Sequence, residues 1–222
     1  EHLATPTQTN YGVDAVGAWN TTTGSGEVVV AVVDSGVRPH AEFGSRLLPG
    51  YDFVDNDSDG SDPGSGACGA FATSSWHGTH VSGIVAAGIN GFGVVGVAPA
   101  VRVLPIRVTT CGSGTREATL KGVRWAAGIP MLGYPNNPNP ADIINLSLGS
   151  EVGPCDPASQ LVFDEVAQMG VLIVAAAGNN SVLASEHSPS NCRNVMSIGA
   201  SESNGGKAFF SNYGPDVDVY AP

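Results

Sequence analysis

The stretch "EVVVAVVDSG" (residues 27–36) decides the fold. Its valines and alanine follow one another with no polar break before Asp34. A strand with one wet face would alternate apolar and polar residues, so this run predicts a strand covered on both faces. Strands of that kind belong to parallel sheets packed with helices on each side. "VRVLPIRV" (101–108), "ADIINLSLG" (141–149), "VLIVAAAGN" (171–179), "VMSIGA" (195–200) and "VDVYAP" (217–222) read as further strands. Helical character runs from His77 to about Gly88, over 115–127 and over 157–170. In the second of these, Ala118, Val123, Trp125 and Ala126 form an apolar stripe opposite Arg116, Lys121 and Arg124. The alternation predicts an α/β fold, a doubly wound parallel sheet flanked by helices.

Bulk properties agree with one globular domain over residues 1–222, without repeats or linkers. Hydrophobic residues make up 42% of the chain and charged ones only 13%, which argues against disorder. A net charge of −11 with nine scattered basic residues excludes a nucleic-acid partner. No apolar run is long enough to span a membrane. Glu1-His2-Leu3 lacks a signal peptide's character, so an exported form would already have lost its signal and any pro-segment. Cys68, Cys111, Cys155 and Cys192 contain no CxxC pair. They fit two disulfides in an oxidising compartment, in any of the pairings four cysteines allow, or else buried free thiols.

Ligands and catalytic groups in open parallel sheets lie beyond the carboxyl ends of the strands. Asp34, Ser147 and Asn179 each stand at such an end. "SSWHGTHVSGIVAA" (74–87) adds His77 and His80 at the start of a helix. A zinc reading of this pair lacks the HExxH glutamate and a third ligand. Acyl transfer asks for something else: a neutral imidazole as base, a buried carboxylate to fix its tautomer, and a preorganised oxyanion donor. His77, Asp34 and Asn179 supply those three groups. "TTGSGE" (22–27) precedes a strand instead of joining a strand to a helix, so it cannot cradle a nucleotide phosphate, and no organic cofactor is expected.

"VAVVDSGV", "HGTHVSGIVAA", "GVAP", "NLSLGS", "VAAAGN" and "VDVYAP" together resemble the subtilisin-like serine proteases, or subtilases, in the same order, from about Tyr11 to Pro222. The resemblance implies a secreted serine endopeptidase made as a zymogen, with Asp34 as triad carboxylate, His77 as base and Asn179 as oxyanion donor. It implies a structural role for His80. Gly112, Ser113 and Gly114, and Ser147, Leu148 and Gly149, match the two segments that hold a peptide as an added strand. Ala176, Ala177 and Gly178 match a wall of the main specificity pocket, with Glu186 and His187 near its floor. Either those two residues make the floor polar or both point to solvent.

Structural calcium is expected in two places. "DNDSDGSD" (55–62) spaces Asp55, Asp57, Asp59 and Asp62 around Gly60, although Gly66 stands where an EF-hand loop carries its bidentate glutamate. The resemblance implies a second site from Asn90, the carbonyls of Gly88, Phe92 and Val94, and Glu42 in place of the usual aspartate. It also implies the pairs Cys68–Cys111 and Cys155–Cys192. The family's serine motif, a GTSMA-like sequence after "AP", does not occur in residues 1–222. The expectation is therefore that residues 1–222 form the N-terminal and central part of one catalytic domain, partnered by a serine-bearing segment of the same precursor. The competing expectation is an inactive relative that binds peptides or acts as a scaffold.

Overall fold

The computed structural model describes residues 11–68, 76–151 and 153–222. In chain order its elements are α1 (Ala15–Ala18), β1 (Val29–Asp34), β2 (Tyr51–Asp52), α2 (His77–Ala86), β3 (Arg102–Arg107), β4 (Thr109–Thr110), β5 (Ser113–Gly114), α3 (Arg116–Ala126), β6 (Ile143–Leu146), β7 (Ser150–Glu151), α4 (Pro157–Gln168), β8 (Leu172–Ala176), β9 (His187–Ser188), β10 (Val195–Ala200) and β11 (Val219–Ala221). Each long strand and helix expected from the sequence is present. The short pairs β4–β5 and β7–β9 were not anticipated, because two-residue strands carry no periodicity to read.

The chain divides into two compact units, and Gly24–Asn145 makes up most of one of them. Here β1 runs parallel to both β6 and β3, and β3 runs parallel to β2. Every residue of β1 is buried, as its unbroken apolar run requires. Its two faces meet different helices. Val30 and Val32 join Val103 and Ala86 in a core cluster, against which Val81 and Val85 of α2 pack. Val33 points to the other side, toward α3. A Cβ on Gly122 would stand 2.8 Å from Val108 and 3.3 Å from Val33, so glycine lets this helix settle close to the sheet. Thr115 caps α3 by accepting the Ala118 N–H at 3.1 Å. The expected stripe of Ala118, Val123, Trp125 and Ala126 is buried.

The other unit consists chiefly of Leu146–Ala167 and Leu172–Pro222. In it β10 runs parallel to β8 and to β11, and β7 pairs antiparallel with β9. Asp156 caps α4, accepting the N–H groups of Ala158 and Ser159, and the helix buries Phe163 and Val166. Each unit holds one disulfide: Cys68–Cys111 in the first and Cys155–Cys192 in the second, the pairing expected.

Leu104 lies fully buried in β3. Leu104→Ala is expected to lower the unfolding free energy by about 2–5 kcal/mol through lost burial and the cavity left behind, as read from denaturant unfolding.

Candidate active site

Asp34 ends β1 and His77 begins α2, and the structure brings them together. His77 Nδ1 lies 2.8 Å from Asp34 Oδ1 and 2.9 Å from Oδ2. An ionised carboxylate can only accept, so Nδ1 carries the proton and Nε2 of the neutral ring is left basic. The carboxylate is 2% exposed, whereas the His77 side chain is 48% exposed. The hydrogen bond to Asp34 raises the imidazole pKa, burial lowers it, and the Asp34 charge raises it again, for a net upward shift. Close approach of the two elements depends on glycine: a Cβ on Gly78 would overlap the Gly36 carbonyl and stand 3.1 Å from Asp34 Cβ. Trp76, just before His77, takes a left-handed conformation (φ 55°), a strained arrangement found at functional sites. His80, one turn along α2, is exposed.

Cys111 and Gly112 both have positive φ and make a tight turn between β4 and β5. This turn places Gly112, Ser113 and Gly114 on an exposed edge. Behind it, the buried Arg107 donates to Asp52, Asp55 and Thr110, anchoring the hairpin.

In the second unit, Ser147 and Leu148 are half-buried after β6, Ala176 closes β8, Ala177 and Gly178 are buried, and Asn179 is exposed. Asn212, which no motif singled out, organises this loop. Its Nδ2 donates to the Ala177 carbonyl at 2.8 Å, and its Oδ1 accepts the N–H groups of Asn180 and Val182. The two expected floor residues separate: Glu186 is exposed and His187 is buried. The His187 ring lies where a side chain on Gly149 or on Gly178 would collide with it.

The four aspartates of the 55–62 run do not converge on one point. Among the described residues, no three His, Cys, Asp or Glu side chains come together as a metal group. Asp55 is taken by Arg107, while Asp57 and Asp59 close successive Asx turns onto Asp59 and Ser61. Asp62 is buried away from that loop and accepts from Ser35 and Gly64. Counting carboxylates along the sequence could not reveal these distant partners. In the second place, Glu42 accepts from the Asn90 amide at 2.8 Å and the Val94 N–H at 3.0 Å. Asn90 Oδ1 accepts the Phe92 N–H at 3.2 Å, and Arg46 donates to the Glu42 carbonyl at 2.6 Å. N–H groups of the protein thus face the side-chain oxygens of Glu42 and Asn90.

Residues 25–222 match the subtilase family model. The chain belongs to the subtilase family. It is 40% identical to an extracellular protease of Xanthomonas campestris pv. campestris, over 96% of this chain and 40% of that protein. It is 41% identical to an extracellular basic protease of Dichelobacter nodosus, over 96% of this chain and 39% of the relative. A solved protease structure from Pseudoalteromonas arctica superposes with a TM-score of 0.90 at 42% identity, covering 100% of this chain and 69% of that one. The fold of this subtilase is therefore the α/β fold of its family, and the chain spans about 40% of the length of the first two relatives.

The His77 pair gives a pH prediction. The imidazole is expected to titrate above the ordinary 6.5, and Asp34→Asn to bring that titration down, both followed by the imidazole resonances in NMR. An unchanged titration in the variant would contradict the assigned cause.

Proposed function

We propose that this subtilase chain forms the N-terminal and central part of the catalytic domain of a secreted serine endopeptidase. The observation that carries the reading is the buried Asp34 carboxylate holding the half-exposed His77 by Nδ1, which leaves Nε2 as the base. A serine hydroxyl needs such a base to attack a peptide carbonyl, and the aspartate stabilises the imidazolium as it forms. Nε2 takes the serine proton and returns it to the leaving amine. The Asn179 side-chain amide is the proposed donor to the oxyanion. The exposed edge at Gly112–Gly114 and the segment Ser147–Gly149 offer backbone groups to an extended peptide substrate. The names of the relatives support an extracellular setting, as does the presence of two disulfides. No helix among the described residues is long and apolar enough to cross a membrane.

The nucleophile is proposed to come from a further segment of the same precursor. Support comes from the outer face of α2, where Ile84 is 68% exposed. Ile84, Phe43, Trp76 and Ala87 line a mostly apolar cavity of about 660 Å³ there. Apolar surface of this kind is normally covered by protein. Ser35 is committed to Asp62 and Gly78 and is not the nucleophile.

Labelling of the full-length protein with a serine-directed fluorophosphonate, followed by peptide mapping, tests this. Modification is expected on a serine outside residues 1–222, together with hydrolysis of peptide substrates. A label on Ser35 or Ser147, or a folded protein that neither labels nor hydrolyses, would sink the reading and leave the peptide-binding alternative. His77→Ala should lower kcat by on the order of 10⁶, the scale known from subtilisin itself.

A further inference from the structure

We infer that Asp62 is a positioning residue for the Asp34–His77 pair and acts on it through Ser35. The inference rests on the proteolytic reading of that pair. Asp62 is 1% exposed, so its carboxylate must be satisfied by protein donors. Its Oδ2 accepts the Ser35 hydroxyl at 3.0 Å and its Oδ1 accepts the Gly64 N–H at 2.8 Å. The Asp62 carbonyl accepts from Arg38 Nη1 at 3.1 Å.

A serine hydroxyl has one proton to give. Here Asp62 takes it, so the lone pairs of Ser35 Oγ are free to face the Gly78 N–H, which donates to them at 3.1 Å. That N–H belongs to the first turn of α2, where no intrahelical acceptor exists. Trp76 supplies no side-chain cap of its own. Ser35 therefore does the capping from a different element, 43 residues earlier in the chain. The backbone N–H of the same serine donates to Asp34 Oδ1 at 2.7 Å.

One residue thus touches both partners of the pair: Asp34 through its N–H, and the helix start that carries His77 through its hydroxyl. The direction of that hydroxyl is set by Asp62. Without Asp62, the Ser35 proton must find another acceptor, in a residue whose N–H already donates to the carboxylate that His77 depends on. The backbone has no slack to absorb such a change. A Cβ on Gly36 would stand 2.6 Å from the Asp62 amide nitrogen, and the Val37 N–H donates to the Gly60 carbonyl at 3.1 Å. Three segments, 34–37, 60–64 and 76–78, are locked at one point.

The test uses the full-length protein, with Asp62→Ala, Ser35→Ala, the double variant and Ser35→Thr, which keeps the hydroxyl. Misplacing a catalytic base by about 1 Å costs on the order of 100-fold. Each alanine variant is therefore expected to lower kcat roughly 10- to 100-fold with KM within about twofold. The double variant should be no worse than the poorer single one, because both remove the same linkage. Ser35→Thr should restore most of kcat. Independent, multiplying losses, or a rise in KM at constant kcat, would overturn the inference. Where Asp62→Ala does not fold, Ser35→Ala removes the same linkage from the other side and carries the same expectation. The low-field Nδ1–H proton resonance of His77 gives a readout that needs no turnover. It should shift or broaden in the Asp62 and Ser35 variants, and an unchanged resonance would overturn the inference. If the unmodified protein hydrolyses nothing, the proteolytic reading fails, and this resonance still decides whether Asp62 positions the pair.

Discussion

The structure of the site depends on a buried carboxylate at the end of a buried strand. Placing an ionised group at the end of β1 is costly unless donors surround it. Asp34 meets that condition with the Ser35 N–H and the His77 Nδ1–H, the latter within reach of both carboxylate oxygens. This requirement dictates the surroundings. The strand has to be covered on both faces, so its residues are all apolar and two helices pack against it. The helix that delivers the imidazole has to come close, so glycine stands at 78. The helix start has to be satisfied without a local cap, so a hydroxyl reaches it from the strand end.

The second unit solves a similar problem with an amide instead of a carboxylate. The loop after β8 turns sharply through Gly178 (φ 103°) and leaves backbone groups in need of partners. Asn212 has both a donor and an acceptor end, and it holds the loop from two sides. An aspartate there could accept but not donate, and the Ala177 carbonyl would lose its partner. The exposed Asn179 is thereby carried on a loop fixed by buried hydrogen bonds, which would suit the donor role proposed for it.

The strands and the catalytic pair were legible because their signals are local. An unbroken Val and Ala run can be read over ten residues, and DSG and HGTH stand at fixed places relative to a strand end and a helix start. The supporting groups were not legible, because each is a single polar residue in a loop. Asp62 illustrates the difference. In the sequence it is the last member of a regularly spaced acidic run. In the structure it has left that run and joined a serine 27 residues earlier. Asp55 shows the same, since its partner Arg107 lies 52 residues away. Spacing along the chain cannot show such distant partners: here an arginine, a serine and the local backbone hold these carboxylates.

The unequal burial of the two partners has a consequence for pH. Raising the imidazole pKa means that the folded protein favours imidazolium more than the unfolded chain does. The stability gained from the ion pair is fully present below the unfolded value near 6.5 and is lost as pH rises through the higher folded value. The base, however, is useful only when neutral, which is above that same folded value. The conditions in which the pair adds most to the fold are therefore those in which it cannot accept a proton. Half-exposure of His77 softens the conflict, because solvent screens the pair on the imidazole side. A fully buried histidine in the same contact would be cut off from the nucleophile and exposed to larger shifts. In the proposed reaction the carboxylate keeps its charge and can stay buried, whereas the imidazole changes charge and must stay partly open.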